Sequence, residues 1–447
     1  MSRVFGIELR RSAARGTALV VLLLGLVLIF FAGGILFADG WMQLAMTQRW
    51  YLALLWPLAL AAGGWQARRE HRSRVAELFA STPRPRALRI VPTLGAMAVA
   101  VVAGYLAMGL LAGLWIAGTA EYLPAAAFGV AAVGCLALIA ATWLGLAVGR
   151  LLPSPVTAPM LAIAGLAAVL FTPWATRPRG WLSLVFSPID QMNMPDAYTT
   201  VPGRVSVAQA CWMAGLAITA VLLLASGGRR LRVAAVLPVL AGAALAITVM
   251  PHHNRTVLDA VDPVARELMC TEDAPRVCVS RVHSGLLAEF TPRARAGLAA
   301  LAKLPDAPAE VHEDTTVYPD DGRPAWRADV VLLDVVAAPN GHLGNESSAA
   351  EVVVRAFRGR ATCENPSDPA DDLAAASWLT GQAPVSPTPS TLLSAGTYDP
   401  ETVAQATQRW QGLRKLPEDK ALARVVALRQ AAVTCSARDG IITGGTP

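Results

Sequence analysis

Seven long apolar runs, at residues 17–38, 50–66, 92–117, 124–149, 156–174, 206–226 and 233–250, constrain this chain more than any other feature. A helix needs about 20 mostly apolar residues to cross a bilayer, and in hydrocarbon only helices and closed barrels satisfy their own backbone polar groups. The runs therefore predict an α-helical polytopic membrane bundle. Composition agrees: 54% of the 447 residues are hydrophobic and only 16% charged, which argues against an ordinary cytosolic enzyme.

Charge divides the chain at Met250. Residues 1–250 hold 19 Arg, no Lys and 7 acids, net +12, whereas 251–447 hold 19 Lys plus Arg and 25 acids, net −6. Fifteen of the 19 arginines fall in four patches at alternate ends of the runs: Arg3, Arg10, Arg11 and Arg15; the seven from Arg68 to Arg89; Arg150; and Arg229, Arg230 and Arg232. Arg49, Arg177, Arg179 and Arg204 fall in the intervening loops. Positive charge in short loops is retained in the cytoplasm. The expected topology is thus a multi-pass protein of the plasma membrane, with a cytoplasmic N-terminus and everything after the seventh span outside. A cleavable signal peptide is the rival reading of the first run, but that run is long for a signal core and Phe37-Ala38-Asp39 is a poor cleavage site.

Cysteine placement bears on the same topology. Cys135 and Cys211 lie inside apolar runs and read as small apolar residues. The even set Cys270, Cys278, Cys363 and Cys435 suits two disulfides in an oxidising compartment. Of the three connectivities, Cys270 with Cys278 and Cys363 with Cys435 is favoured. Their spacings match no zinc-ligand motif.

Residues 2–15 set Val4, Phe5, Ile7 and Leu9 among arginines, a pattern for a short interfacial helix before the first span. The most polar stretch of the membrane half, QARREHRSRVAELFASTPRPRALRI at 66–90, follows the second run. Val75, Leu78 and Phe79 recur there at helical spacing, and Ser81-Thr82-Pro83 ends the pattern. One reading is a positive-inside loop whose arginines meet lipid headgroups. The other is a docking helix, whose apolar stripe enters a groove on a cytoplasmic partner.

The segment REHRSRVAELFASTPRPR at 69–86, with the elbow before the first span and six spans in this order, resembles the permease subunits of ABC-2 type ABC transporters of the actinobacterial kind. In that family the loop after the second span similarly reads RE, HR, EL and STP and forms the coupling helix. The resemblance covers about 1–230. It implies a six-span permease domain at 17–230, with Glu70, Arg72, Glu77, Leu78 and Phe79, beside Val75 of the stripe, facing a separate ATP-binding subunit. It also implies a second permease subunit, as homo- or heterodimer, and a hairpin between the fifth and sixth spans capping the outer end of the path. WLSLVFSPIDQM at 181–192, apolar but too short to span, stands at that place. The chain departs from the six-span plan by a seventh span at 231–250 and an extension at 251–447. The APRVC segment at 274–278 resembles extracytoplasmic extensions of some actinobacterial permeases.

No G-x-x-x-x-G-K-[ST] phosphate loop occurs, so ATP and magnesium are expected on the partner subunit and no cofactor in this chain. No acid or histidine lies within the seven runs, which argues against a proton-coupled carrier. Gly104, Gly109, Gly113, Gly145 and Gly149 suit close helix packing.

The half after Met250 reads as an α/β domain. Strands are expected at 276–280 and 328–336, with helices at 285–304, 401–413 and 417–434. His252, His253, His283, His312 and His342, with the carboxylates of 310–314, follow no metal motif and read as scattered surface groups. No G-x-S-x-G elbow is present. Neither catalysis nor nucleic-acid binding is expected. The functional alternative to a permease is a membrane-anchored extracytoplasmic binding or sensor protein.

Overall fold

The computed structural model describes residues 2–32, 35–72, 86–189, 197–226, 228–252, 260–317, 326–344, 348–359, 363, 368–385 and 398–444. These form two compact units. The first comprises Met1–Phe37, Trp41–Trp115 and Leu123–Val261; the second comprises Asp262–Pro447 together with Ala38–Gly40 and Ile116–Tyr122. The boundary thus falls eleven residues after Met250, and two short segments of the first half belong to the second unit.

The first unit is helical. α1 (Ser2–Arg11) is a helix where the elbow is expected, followed by α2 (Ala14–Val27), which ends in a π turn at Leu28–Ala32. Then come α3 (Trp41–Trp50), α4 (Leu52–Arg72), α5 (Arg86–Ile116), α6 (Ala125–Leu151) and α7 (Thr157–Ala175). The short α8 (Trp181–Phe186), α9 (Gly203–Ala225), α10 (Arg229–Ala234) and α11 (Leu237–Val249) complete it. Among the described residues six segments are long and apolar enough to cross a membrane: Ala14–Ala32, Arg89–Ile116, Ala125–Leu151, Thr157–Ala175, Gly203–Ala225 and Arg229–Val249.

The expected second span is the exception. Its apolar stretch starts only after the polar Gln43, Thr47, Gln48 and Arg49 and stops at Gln66, which leaves too short a run in α4. Backbone bonds from Tyr51 N to Thr47 O and from Leu55 N to Tyr51 O carry the helix through from α3 to α4. The polar half of this long helix is buried: every residue from Met42 to Arg49 lies inside the unit.

Glycines set the helix spacing, as expected for Gly145 and Gly149. A Cβ on Gly145 would lie 2.0 Å from the Leu60 carbonyl oxygen, and one on Gly63 2.1 Å from that of Thr142, so α4 and α6 touch backbone to backbone. At one end of the bundle Arg69 pairs with Glu8 at 3.4 Å, Ala13 N donates to Gln66 Oε1 at 2.9 Å, and Arg150 donates to the Leu224 carbonyl at 3.2 Å. The elbow, the end of α4, the end of α6 and the end of α9 therefore share that end, and four of the basic stretches meet there.

The second unit is built on a sheet ordered β1 (Leu268–Cys270), β2 (Val277–Ser280), β3 (Glu310–Glu313), β4 (Val330–Leu333). β1 and β2 are antiparallel, while β2–β3 and β3–β4 are parallel. α12 (Leu287–Leu301) and α13 (Ala349–Ala356) bury Phe290, Leu298, Leu301, Val352 and Val353 with Val279, Val311 and Leu333. α14 (Pro369–Thr380), α15 (Pro400–Arg414) and α16 (Glu418–Thr434) follow. Ser348, Asp368 and Asp399 cap α13, α14 and α15 through backbone N–H groups, and α14 stops at Gly381 in the left-handed region. The strand expected at 276–280 and the last two helices stand where expected; β1, β3, α13 and α14 are additions. The two short segments are tied in by polar contacts: Ala337 N donates to Asp39 at 3.0 Å, Ser284 Oγ to Glu121 at 2.9 Å, and Tyr122 OH to Asp262 at 2.7 Å.

Candidate functional site

The interior of the helical unit holds a polar cluster built mainly on α3. Gln43, Thr47, Gln48 and Arg49 are all under 5% exposed. The loop position expected for Arg49 is corrected by the structure: α3 turns the residue inward, where it is 1% exposed. Its Nε donates to the Pro188 carbonyl at 3.2 Å, just beyond α8. Gln48 Nε2 donates to the Tyr105 carbonyl of α5 at 2.6 Å, and Gln209 Nε2 of α9 to the Leu184 carbonyl of α8 at 2.8 Å.

Tyr105 is fully buried and lies within electrostatic reach of the Arg49 guanidinium and the Cys135 thiol. Two glycines make room for this cluster. A Cβ on Gly109 would sit 2.6 Å from Gln48 Oε1, and one on Gly134 2.4 Å from the Tyr105 hydroxyl oxygen. The Tyr105 hydroxyl, Thr47 Oγ1 and Gln209 Oε1 are buried without a hydrogen-bond partner among the described residues. Buried polar atoms of this kind are costly unless something else satisfies them. Side chains from α3, α5 and α9 thus offer donors and acceptors in an otherwise apolar interior, and Gln209 and Arg49 grip carbonyls of α8 and of Pro188 just beyond it.

The expected docking residues divide. Glu70 and Arg72 lie in the last turn of α4, while Val75, Glu77, Leu78 and Phe79 lie outside the described residues, between α4 and α5. The expected helix on 66–90 is therefore bracketed by two long helices, and its central part is outside the described residues. The four cysteines after Met250 pair as Cys270–Cys278, directly opposite each other on β1 and β2, and Cys363–Cys435, across a separation of 72 residues. Cys135 and Cys211 are free and half-buried on α6 and α9.

The histidines depart from the surface reading at one position. His283 is buried, 3% exposed, with Nδ1 2.5 Å from Glu313 Oε1, and Glu313 also accepts from Ser280 N at 2.5 Å. Ser280 Oγ approaches the same Nδ1 at 3.4 Å, so serine and carboxylate share one ring nitrogen and form no relay. His312 pairs with Glu310 and His342 with Glu289 nearer the surface. No group of three or more metal-ligating side chains occurs among the described residues.

Comparison with protein-family models, with curated proteins and with solved structures yields no match in any of the three. What the chain itself defines is a mostly helical protein with, among the described residues, six helices fit to cross a membrane and two disulfide-paired cysteine sets.

Proposed function

We propose that this chain is the transmembrane permease subunit of an ATP-binding-cassette transporter. Its helical unit forms the substrate path, and a separate ATPase subunit carrying ATP and magnesium docks on the 66–90 loop. The observation that carries the reading is the polar interior: a fully buried Arg49, with Gln48, Thr47, Tyr105 and Gln209, in a bundle whose outer surface is apolar. Charged and polar groups inside a membrane bundle are expensive and mark substrate pathways by default. Helices that merely anchor an outer domain gain nothing from such groups.

The rest of the proposal follows from the arginine pattern and the loop. The basic end of the bundle, with Glu8–Arg69 and the ends of α4, α6 and α9, is the cytoplasmic end; α3 and α4, too polar to count among the six apolar spans, return to that end as one continuous helix and supply a seventh crossing, so the α/β domain lies outside the plasma membrane. Glu70 and Arg72 at the end of α4, with Val75, Glu77, Leu78 and Phe79 after it, face the ATPase and transmit its motion into α4 and α5. A second permease copy or homologue completes the path. The hairpin held by Arg49 and Gln209 closes its outer end, since both side chains reach its backbone carbonyls.

The test is purification of the tagged chain from its native membranes in mild detergent, with identification of what accompanies it. A stoichiometric soluble ATPase with vanadate-sensitive activity, lost on Leu78→Glu with Phe79→Glu, is the expected result. A folded chain that purifies without such a partner overturns the permease reading and leaves an anchored binding or sensor protein.

A further inference from the structure

The second unit contains a cavity of about 250 Å³ beside the edge strand β4. Its polar lining is Arg327, Arg355, Arg358 and Arg429 with Thr316 and a single acid, Asp314; Trp326, Val330, Leu332 and Ala356 line the apolar side. Two of these arginines are neutralised locally, Arg327 by Asp329 and Arg355 by Asp334 and Glu351. Arg429 differs. It is 6% exposed, it has no carboxylate partner among the described residues, and its Nη2 donates only to the Ala328 carbonyl at 2.7 Å. Its Nε is buried with no hydrogen-bond partner among the described residues.

A buried charge normally needs a counter-charge. Here burial, and then the like charge of Arg438, pull the Arg429 pKa down from the ordinary 12.5 to about 10. An anion in the cavity offsets both effects by stabilising the charged guanidinium.

We propose that this cavity is a binding site for a small organic carboxylate, with Arg429 as its buried anchor and Arg358 as a second, exposed cation. The volume lies below the roughly 300 Å³ at which drug-sized pockets begin, so the ligand is of benzoate or amino-acid size. The guanidinium meets the carboxylate in charge-assisted hydrogen bonds. The Trp326, Val330 and Leu332 side takes the apolar body. The inference does not rest on the permease reading, because binding is measured on the isolated chain without any ATPase.

The experiment is calorimetric titration of the full chain in detergent with benzoate, with benzamide as its neutral isostere, and with inorganic phosphate. Saturable benzoate binding, weakened about tenfold or more by the change to benzamide and by Arg429→Met, is the expected result. Absence of saturable binding, equal binding of benzamide, or benzoate affinity unchanged in R429M overturns the site. Phosphate binding more tightly than benzoate overturns the carboxylate as its ligand. Should R429M not yield folded chain, the exposed Arg358→Gln takes its place: weaker benzoate binding supports the site and unchanged binding overturns it.

Discussion

In the helical unit Leu110, Leu114, Phe171 and Trp174 are 62–69% exposed while Arg49, Gln48 and Tyr105 are buried; in the C-terminal unit Phe290, Phe357 and Leu301 are wholly buried and the pairs Arg281–Glu267 and Arg327–Asp329 lie at the surface. The same hydrophobic effect produces both patterns. In water apolar side chains gain by leaving the solvent, whereas in hydrocarbon they gain nothing by turning inward, and small residues and polar contacts hold the helices together instead. One chain therefore carries two solutions, one stabilised by a core and disulfides and the other by glycine-mediated contact around a polar centre.

The contrast predicts where each unit breaks. Replacing Cys363 and Cys435 by serine removes a bridge across 72 residues, with a cost of about 4 kcal/mol from loop entropy. The Cys270–Cys278 bridge spans only 8 and costs about 2.5 kcal/mol to remove. Thermal unfolding with limited proteolysis will show both losses in the second unit and neither in the first. Gly145→Val does the reverse. Its side chain meets the Leu60 carbonyl oxygen, so overpacking of α4 against α6 costs about 3 kcal/mol and shows as early thermal aggregation in detergent.

Smaller effects sharpen the picture. Ser348→Ala removes the cap that accepts from Glu351 N and destabilises the second unit by about 1 kcal/mol, measurable by denaturant titration. Glu289 is held below its ordinary 4.5 by the N–H of Leu343 and then by His342. Its stabilising contribution is therefore present above pH 4.5 and lost as the pH falls through the lowered value, and Glu289→Gln flattens that acid limb of the stability profile. Tyr105→Phe has the smallest effect on stability. The lost hydroxyl has no hydrogen-bond partner among the described residues, so the melting temperature stays level or rises, while a substrate path that uses this group loses transport.

The parts legible in the sequence are those whose signal is local. Runs of about twenty apolar residues need no tertiary context to be read as spans, and Val330 to Leu333 is apolar enough to declare a strand. The four cysteines carry their own constraint. α3 is the opposite case: WMQLAMTQRW is too polar to read as part of a span, and only the apolar helices packed around it turn its polar residues inward. From sequence alone Arg49 therefore reads as a loop residue. β3, with sequence EVHE, reads as scattered surface groups until Val311 and Glu313 are seen to be buried by neighbouring elements. Arg429 sits on an ordinary amphipathic helix, and its isolation from carboxylates is visible only in three dimensions.

The account's central claim is that the polar interior around α3 is a path opened and closed by an external ATPase. The direct measurement places a cysteine at Thr47, which is 4% exposed, in a Cys135→Ser, Cys211→Ser background. Its reaction with a charged, water-soluble thiol reagent is then followed in the purified complex without nucleotide and with ATP and vanadate. The account predicts that the cysteine is shielded in one nucleotide state and modified in the other. A complex that hydrolyses ATP while this cysteine stays unreactive in both states, or reacts equally in both, contradicts it.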